Sequence, residues 1–381
     1  MDNKTIAYIS HVPWDDIKQR PQFLALQMSR DFRVFYMQNI GLSRIFTGQK
    51  NVRCKQSVIN EFLTVKGIWW INQYKIQNRI IKWFAGAFNS IFIKKYRLLL
   101  NNTTYIWFTH PSKYDQFKNI IPHHARVVYD CMDDALEFEN YYISRKRLFE
   151  IEAELIKRAS FVVCSSLYLQ KKLVNRYKMI GNSIVVNNAI ELPSIKDNVS
   201  TPLEISQMIN DISHLSYPLI YIGAISAWFD FDLILNLLGS INDVNLVLVG
   251  PKSVAIPDHD RIKWYAPIER KYIFNIMPLA FALVMPFKIN ELIRSVNPVK
   301  LYEYIYSGKP SIAPRYSESE KFEGYTLLYD SPQNFIGIVN GLISKTINIP
   351  DYDKSVLFAK SNTWSERYKM IKELLASKHE M

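Results

Sequence analysis

Cysteine is scarce in this chain of 381 residues, and its spacing excludes two kinds of stabilised architecture. The chain contains Cys54, Cys131 and Cys164. Their number is odd and none of them forms a Cys-x-x-Cys pair, so the sequence predicts neither a disulfide framework nor a zinc site. A reducing compartment is consistent with this cysteine usage.

Long hydrophobic runs are also missing. The most apolar stretch, YIFNIMPLAFALVMPF (272–287), is interrupted by Asn275, Pro278 and Pro286. No stretch reaches the ~18 uninterrupted apolar residues that are typical of a membrane span. The first ten residues lack the basic and long apolar segments of a signal peptide. We therefore expect a cytoplasmic protein without a membrane-spanning helix.

Acidic residues are few in the first half of the chain. Residues 1–200 contain 29 Lys and Arg but only 16 Asp and Glu, whereas residues 201–381 contain 18 and 19. The net charge of +12 therefore arises entirely in the first half. This asymmetry indicates that the two halves meet different partners, and a basic half suits an anionic membrane, an acidic substrate or nucleic acid.

Short apolar strands alternate with helical patterns throughout the chain. Six strands rich in Val, Ile, Tyr or Phe are predicted in the first half, at 5–10, 32–39, 104–109, 126–131, 161–166 and 183–189. A second series of strands and helices follows the polar stretch 193–217. Such alternation predicts parallel strands covered on both faces. We expect an α/β fold of two doubly wound, Rossmann-like domains, with boundaries at 1–205 and 206–361, and a C-terminal helix (362–381) that packs back on the first domain.

Ligands of doubly wound domains bind beyond the carboxyl ends of the strands. One stretch in such a position, NPVKLYEYIYSGKP (297–310), combines a cation and a carboxylate in a segment that is otherwise apolar and aromatic. Lys300 and Glu303 are three residues apart, so they share one face of the predicted helix. Either they form an ion pair on a surface helix, or they recognise a ligand that carries both an anion and hydroxyl groups.

Several segments resemble glycosyltransferases of the GT-B fold. The donor-nucleotide segment of these enzymes, in which Pro-x-Lys-x-x-Glu-Tyr is followed by Gly-Lys-Pro, is similar to RSVNPVKLYEYIYSGKPSIAP. The first strand and turn of their C-terminal domain resemble YIGAISAWFDFDLIL. RPQFLA and VVYDCMDD are similar to segments of bacterial enzymes that build cell-surface polysaccharides of the capsule or teichuronic type. The resemblance covers nearly the whole chain, is strongest over 219–315 and is weak over 45–100.

The resemblance implies two domains that face each other across a cleft and a nucleotide-diphosphate sugar as donor, with UDP the expected nucleotide. A helix N-terminus and Lys300 attract the diphosphate, assisted by Arg294, while the Glu303 carboxylate accepts hydrogen bonds from the ribose diol. The expected nucleotide-binding residues are Gly223, Ser226, Tyr265, Pro267, Arg294, Pro298, Lys300 and Glu303. No metal and no cofactor are expected, because these positive groups stabilise the leaving diphosphate.

Two departures from the family pattern favour inversion over retention of the anomeric configuration. Ser295 occupies the position, eight residues before Glu303, where many retaining members carry a second Glu. The stretch GAISAWFD, after the first strand of the second domain, lacks the basic pair found in many members. An inverting transfer requires a general base that takes the proton of the acceptor hydroxyl.

Three carboxylates after a strand of the first domain are the candidates for this base. Asp130, Asp133 and Asp134 are clustered, and clustered carboxylates raise one another's pKa, which suits a base that works near neutrality. Asp134 and Asp133 are preferred to Asp130. Helix capping is the alternative role for each of them. His110, which also follows a strand, is expected to orient the acceptor or the sugar, unless it is simply a loop histidine.

Residues of the first strand–helix connection are expected to line the acceptor site. They are His11, Trp14 and Arg20, although Trp14 also suits packing. The motif DFD at 230–232 matches the Asp-x-Asp metal signature of another glycosyltransferase fold. Residues two apart on a helix do not face each other, so we interpret Asp230 as a helix cap and predict no metal site.

The stretch 65–100 contains seven Lys and Arg residues and no Asp or Glu. Tryptophans and phenylalanines are interleaved with these cations, which suits a helix in the interface of an anionic membrane. An internal helix with a solvated basic rim is the alternative. Nucleic-acid binding is not favoured, because no recognised motif accompanies the stretch.

The sequence thus predicts a cytoplasmic enzyme, peripheral on the inner face of the membrane, that transfers a sugar to a lipid-linked glycan or polysaccharide. A nucleotide-sugar epimerase of the same fold would share the donor site but need no acceptor. A basic protein that binds membranes or polyanions without catalysis is the alternative outside enzymes.

Overall fold

The computed structural model describes residues 4–41, 56–137, 143–178, 183–193 and 201–376, and they divide into two compact units. Unit 1 extends to Asn187 and includes the chain from Tyr368 onward, and unit 2 comprises Asn188–Arg367. The division therefore lies between Asn187 and Asn188, whereas the sequence placed it at residue 205.

Unit 1 is built on an eight-stranded sheet. Its strands are β1 (Thr5–Ile9), β2 (Arg33–Gly41), β3 (Gln56–Asn60), β4 (Leu63–Trp70), β5 (Tyr105–Phe108), β6 (Arg126–Cys131), β7 (Phe161–Cys164) and β8 (Ser183–Val185). Their order is β3-β4-β2-β1-β5-β6-β7-β8, and β3 alone among these strands pairs antiparallel with its neighbour. The chain proceeds outward from β1 and then returns to β5 beside it, so the topological switch point lies between β1 and β5.

Helices cover the sheet of unit 1. They are α1 (Arg20–Met28), α2 (Arg79–Lys94), α3 (Arg97–Asn101), α4 (Pro111–Phe117), α5 (Arg145–Arg158) and α6 (Leu167–Tyr177). Side-chain caps begin several of them: the Ser144 and Ser166 hydroxyls accept hydrogen bonds from the third backbone N–H of α5 and α6. Because helices cover both faces, β5 and β7 are buried along their whole length, as near-continuous apolar strands require.

Unit 2 is a six-stranded, wholly parallel sheet with helices. Its strands are β9 (Pro218–Ile222), β10 (Asn245–Val249), β11 (Ile262–Tyr265), β12 (Ala282–Val284), β13 (Ser311–Pro314) and β14 (Leu327–Tyr329), in the order β11-β10-β9-β12-β13-β14. Its helices are α7 (Leu203–Ser213), α8 (Phe231–Ser240), α9 (Arg270–Ile276), α10 (Glu291–Ser295), α11 (Val299–Tyr306), α12 (Pro332–Ile343) and α13 (Tyr352–Lys360). The switch point lies between β9 and β12.

The last helix, α14 (Trp364–Ala376), carries the chain back into unit 1. Its Tyr368 hydroxyl donates a hydrogen bond to Asp31 Oδ2 at 2.8 Å, and Lys372 Nζ lies 2.8 Å from Asp31 Oδ1. The Tyr105 hydroxyl donates to the Leu375 carbonyl. These contacts hold the C-terminal segment on unit 1.

The prediction of two doubly wound, Rossmann-like units is confirmed. The six strands predicted in the first half correspond to β1, β2, β5, β6, β7 and β8. The structure adds β3 and β4, in the region where the family resemblance is weak, and the three-residue β14. In the part of the chain that the structure describes, no helix has the length and apolar character needed to cross a membrane.

Candidate functional site

Lys300 lies at the carboxyl edge of the unit 2 sheet, directly over Gly223. Gly223 follows β9 and has φ +151°, and a Cβ atom added to it would lie 2.0 Å from Lys300 Cε. The Lys300 ammonium is 5.6 Å from the centroid of the Tyr221 ring. Within the described ranges no hydrogen bond or ion pair holds this ammonium. Burial lowers the pKa of Lys300, and the charge of Glu303 opposes that shift.

The start of α11 is fixed to the end of β9. The backbone N–H of Ile222 donates to the Tyr304 hydroxyl at 3.0 Å, and Pro298 stands at the N-cap. Before it, the Asn297 side chain is buried and its Oδ1 accepts the Asn188 backbone N–H at 3.0 Å. A Pro at this position lacks an N–H that a helix start leaves unpaired. The cation of Lys300 is therefore carried on a rigid element at the switch point.

Glu303, one turn after Lys300, is buried and ion-paired. Its Oε1 accepts a hydrogen bond from Arg270 Nη1, and Arg270 Nη2 donates to the Glu191 carbonyl at 3.1 Å. Arg270 is the first residue of α9, and the Glu303 side chain is 8% exposed. The sequence prediction missed Arg270, although it lies in YAPIERK, a stretch that follows a strand. The pair fixes the orientation of the carboxylate.

The other predicted nucleotide-binding residues of unit 2 make contacts of their own or are exposed. The Ser226 hydroxyl accepts a hydrogen bond from Ser253 at 2.8 Å, and the Tyr265 hydroxyl donates to Asp211 at 3.3 Å. Pro267 is exposed in the loop after β11. Arg294 is exposed at the end of α10, and no partner of its guanidinium is found in the described part of the chain.

Ser295, where many retaining relatives carry a carboxylate, is fully buried. Its hydroxyl donates to the Leu292 carbonyl at 2.6 Å. The nearby Glu291 is exposed at the first position of α10. Ser295 therefore serves the end of this short helix, and its side chain is turned away from solvent.

In unit 1, Arg20 is a buried ion-pair partner of Asp130. Arg20 Nε lies 2.9 Å from Asp130 Oδ1, with side-chain exposures of 2% and 0%, and Arg20 Nη1 donates to the Val186 carbonyl at 2.7 Å. The Tyr8 hydroxyl donates to Asp130 Oδ2 at 3.3 Å. The Arg20 guanidinium therefore joins α1 to β6 inside the unit, and its acceptor-binding role stays a prediction.

The two carboxylates preferred as general base differ sharply in their surroundings. Asp134 accepts hydrogen bonds from Arg176 at 2.6 and 2.9 Å and pairs with Lys172 at 3.0 Å. Burial raises the pKa of Asp134, but these two cations outweigh it and hold that pKa below its usual value. Burial, with the nearby Asp130 and Asp134, raises the pKa of Asp133 to about 6 despite Arg20. Asp133 is therefore the more basic of the two carboxylates, and its carboxyl has no partner among the described side chains.

His11 and His110 stand side by side beyond β1 and β5. Their ring centroids are 5.2 Å apart, and His11 Nδ1 lies 2.8 Å from Thr109 Oγ1. His110 also caps α4, because its Nδ1 accepts the Ser112 backbone N–H at 3.1 Å. Two of the residues predicted to contact substrate thus lie together at the switch point of unit 1.

Trp14 is held by contacts within unit 1. Its backbone N–H donates to Gln38 Oε1 at 2.6 Å, and its ring meets Tyr36 edge to face at 5.0 Å. The side chain is only partly buried. The contact with Tyr36 agrees with the packing role that the sequence analysis gave as the alternative for Trp14. Its acceptor-binding role stays a prediction.

Asp230 caps α8, as the sequence predicted. Its Oδ1 accepts the Leu233 backbone N–H at 3.1 Å. Asp232 is exposed and pairs with Lys288 at 3.1 Å. Among the described residues, no cluster of three or more His, Cys, Asp or Glu side chains has the arrangement of a metal site.

The basic aromatic stretch 65–100 is only partly helical. Residues up to Trp70 belong to β4, and the short helix α3 begins at Arg97. Between them lies α2, which buries Ala85, Asn89 and Ile93. The opposite face of α2 is apolar and exposed, with Ile80, Trp83, Phe84 and Ile91 between 61% and 68% exposed. We call these four residues the α2 surface. The structure thus has a helix with an exposed apolar face in this stretch, and its role at a membrane stays a prediction.

Comparisons with known proteins support the resemblance seen in the sequence. No protein-family model matches the chain. The chain is 26% identical over 266 residues to TuaH of Bacillus subtilis (strain 168), which is assigned as a teichuronic acid biosynthesis glycosyltransferase. The match covers 65% of this chain and 66% of TuaH, so the chain spans just under two thirds of that relative.

Solved structures match over almost the whole length. HepE of Anabaena, in complex with UDP and glucose, is 14% identical with a TM-score of 0.66, and the match covers 98% of this chain and 100% of HepE. Sucrose-phosphate synthase from Thermosynechococcus elongatus is 12% identical with a TM-score of 0.68, covering 98% and 99%. At such identities the likeness shows the fold, and the GT-B fold predicted from the sequence is confirmed.

Proposed function

We propose that this chain is a glycosyltransferase that moves a sugar from a UDP-sugar to a lipid-linked glycan or polysaccharide. The observation that carries the proposal is the Lys300 ammonium, which lies over Gly223 at the switch point of unit 2 without an ion-pair partner among the described residues. Doubly wound sheets bind ligands at this point, and a cation there suits a diphosphate.

The donor is recognised by residues of α11 and its neighbours. Lys300 binds the diphosphate, and Arg294 adds a second positive charge. Arg270 orients Glu303 through Oε1, which leaves Oε2 to accept a hydrogen bond from a ribose hydroxyl. UDP is preferred as the nucleotide because HepE, which shares the fold, has been crystallised with UDP and with UDP-glucose. The glycan acceptor is proposed because the relative TuaH is assigned as a teichuronic acid biosynthesis glycosyltransferase.

The transfer is proposed to invert the anomeric centre. The acceptor hydroxyl oxygen attacks the anomeric carbon, the bond from that carbon to the diphosphate oxygen breaks, and UDP leaves. Asp133 takes the acceptor proton, and a carboxyl with a pKa of about 6 is mostly ionised at neutral pH while still basic enough for this task. Lys300 stabilises the charge of the departing diphosphate, so neither a metal nor a cofactor is required in this proposal.

A turnover assay tests the enzymatic proposal. Purified protein is incubated with a panel of UDP-sugars and a bacterial lipid extract, and released UDP and labelled glycolipid are measured. Lys300→Ala is expected to abolish release, whereas Lys288→Ala, which removes an exposed cation paired with Asp232, keeps it. Conversion of one UDP-sugar into another without UDP release would favour the epimerase, and no conversion at all would favour a binding protein.

We also propose that the α2 surface places the enzyme on the cytoplasmic face of an anionic membrane. Its apolar side chains are turned away from the unit core, and Arg79, Lys82 and Lys94 on the same helix are exposed. Apolar residues inserted at the headgroup level with cations beside anionic lipids are the usual basis of interfacial binding.

Co-sedimentation with vesicles tests this surface. Binding to vesicles of phosphatidylglycerol is expected to exceed binding to phosphatidylcholine vesicles and to fall with added salt. Trp83→Ser with Phe84→Ser should reduce it, while Leu357→Ser, which changes an equally exposed apolar residue of unit 2, should not. Equal binding by the double variant and the parent protein would contradict the assignment.

A further inference from the structure

The switch point of unit 1 carries a second cationic group that the proposed donor chemistry does not use. Lys113, in the first turn of α4, is 6% exposed. No hydrogen bond or ion pair to its ammonium is found among the residues the structure describes. Burying a charge without a partner is costly, and burial lowers the pKa of Lys113 to about 7.

His110 adds a hydrogen-bond donor beside this ammonium. Because His110 Nδ1 accepts the Ser112 N–H, the neutral ring carries its proton on Nε2. Burial and then the charge of Lys113 lower the pKa of His110 to about 4, so the ring is neutral at physiological pH. Nε2–H is thus a hydrogen-bond donor, and the positive charge of Lys113 acts on the His110 ring.

His11 completes the cluster from the neighbouring strand. β1 and β5 are paired with Ile9 beside Phe108, and His11 and His110 each follow two residues after the end of their strand. Open α/β sheets bind ligands where two such strands diverge. The cluster therefore combines a ligand-binding position with a buried cation that has no counter-ion among the described residues.

We propose that Lys113, His110 and His11 bind an oxyanion of the acceptor, a phosphate or a carboxylate attached to its sugar or lipid carrier. This inference rests on the proposed function, because it names the class of acceptor that the glycosyltransferase uses. The Lys113 ammonium supplies the charge, and His110 Nε2–H directs one oxygen. Charge-assisted hydrogen bonds of this kind are about twice as strong as neutral ones.

The test is a binding titration with small probes at pH 7. Glucose 1-phosphate represents the phosphate source, glucuronate the carboxylate source, and glucose the neutral control, with affinity read by ligand-observed NMR. Lys113→Met keeps the length and apolar stem of the side chain but removes the charge. Lys118→Met is the matched control: it removes the same charge five residues away, from an exposed pair with Glu154.

One charged probe is expected to bind the parent protein more tightly than glucose and to weaken about tenfold or more in Lys113→Met. Lys118→Met should change that affinity less than twofold. Which probe binds identifies the source as phosphate or carboxylate. Equal binding of all three probes, no binding of either anion, or unchanged affinity in Lys113→Met would overturn the site.

Two further readouts separate this site from the donor site and from misfolding. Lys113→Met should melt at or above the temperature of the parent, because it removes a buried charge that no described residue neutralises. It should also bind UDP normally, whereas Lys300→Ala should lose UDP and keep the anionic probe. Loss of UDP binding in both variants would refute two separate sites, and a parent protein that never binds UDP would refute the donor assignment alone.

Discussion

Gly223→Ala is predicted to disable the donor site through Lys300. The added Cβ would lie 2.0 Å from Lys300 Cε and 2.6 Å from Lys300 Nζ, distances that force the lysine away. Losing a charged hydrogen bond to the diphosphate costs about 1.5–3 kcal/mol, which corresponds to roughly 10- to 150-fold weaker UDP binding. The φ of +151° also strains any residue with a side chain, at a cost of about 1–3 kcal/mol in the free energy of unfolding.

The assay is isothermal titration with UDP, combined with denaturant unfolding. Gly239→Ala is the control, because Gly239 lies in α8 with no atom within 4 Å of its added Cβ. It should leave UDP binding unchanged and stabilise the protein by about 0.5–1 kcal/mol through helix propensity.

A double-mutant cycle separates the effect on Lys300 from general strain. If Gly223→Ala acts by displacing the lysine, it should weaken UDP binding little further in a protein that already carries Lys300→Ala. Full additivity of the two losses would refute the reasoning. So would a Gly223→Ala protein that binds UDP as tightly as the parent.

Three further predictions concern carboxylates. Wild-type turnover should rise as the pH increases through about 6, and Asp133→Asn should lose turnover. Burial raises the pKa of Asp133 in the folded protein, so its ionised carboxylate lowers the free energy of unfolding above that pH. Asp133→Asn should therefore raise the free energy of unfolding by on the order of 2 kcal/mol at pH 7.5 and hardly change it at pH 4. A parallel pH dependence of stability in both proteins would contradict this. Asp130→Asn leaves the Arg20 charge buried and should lower the free energy of unfolding by about 3–5 kcal/mol in urea titrations, against less than about 1 kcal/mol for Lys372→Ala at an exposed pair. Glu303→Gln should weaken UDP but not 2′,3′-dideoxy-UDP in a binding titration, and equal weakening of both would exclude a ribose contact.

Lys300 and Glu303 could be predicted as donor-site residues because the pattern that identifies them lies within one short segment of the sequence. Lys300 and Glu303 are three residues apart on one helix, between a Pro and a Gly-Lys-Pro segment, and they follow a predicted strand. Arg270 is different, because its ion pair with Glu303 joins residues 33 apart in sequence. No periodicity or spacing links two such residues.

Asp133 and Asp134 also differ through contacts with residues that are distant in sequence. They are adjacent in sequence and identical in type, so capping and pKa arguments treat them alike. The difference arises from Lys172 and Arg176 of α6, which reach Asp134 only after the strands pair. The strand β4 was missed for a local reason: Lys66 and Gly67 interrupt its apolar pattern. Its neighbour β3 is a mostly exposed edge strand of five residues.

The most direct test of the central claim is a thermal-shift titration with UDP, GDP, ADP and CMP, comparing wild type with Glu303→Ala. A ligand that binds the folded state stabilises it by ~2.7 kcal/mol at about 100 times its dissociation constant. We predict stabilisation by UDP that exceeds that of the other nucleotides and disappears in the variant. Absence of stabilisation by all four nucleotides, or a shift that Glu303→Ala retains in full, would contradict a nucleotide-sugar site built on α11.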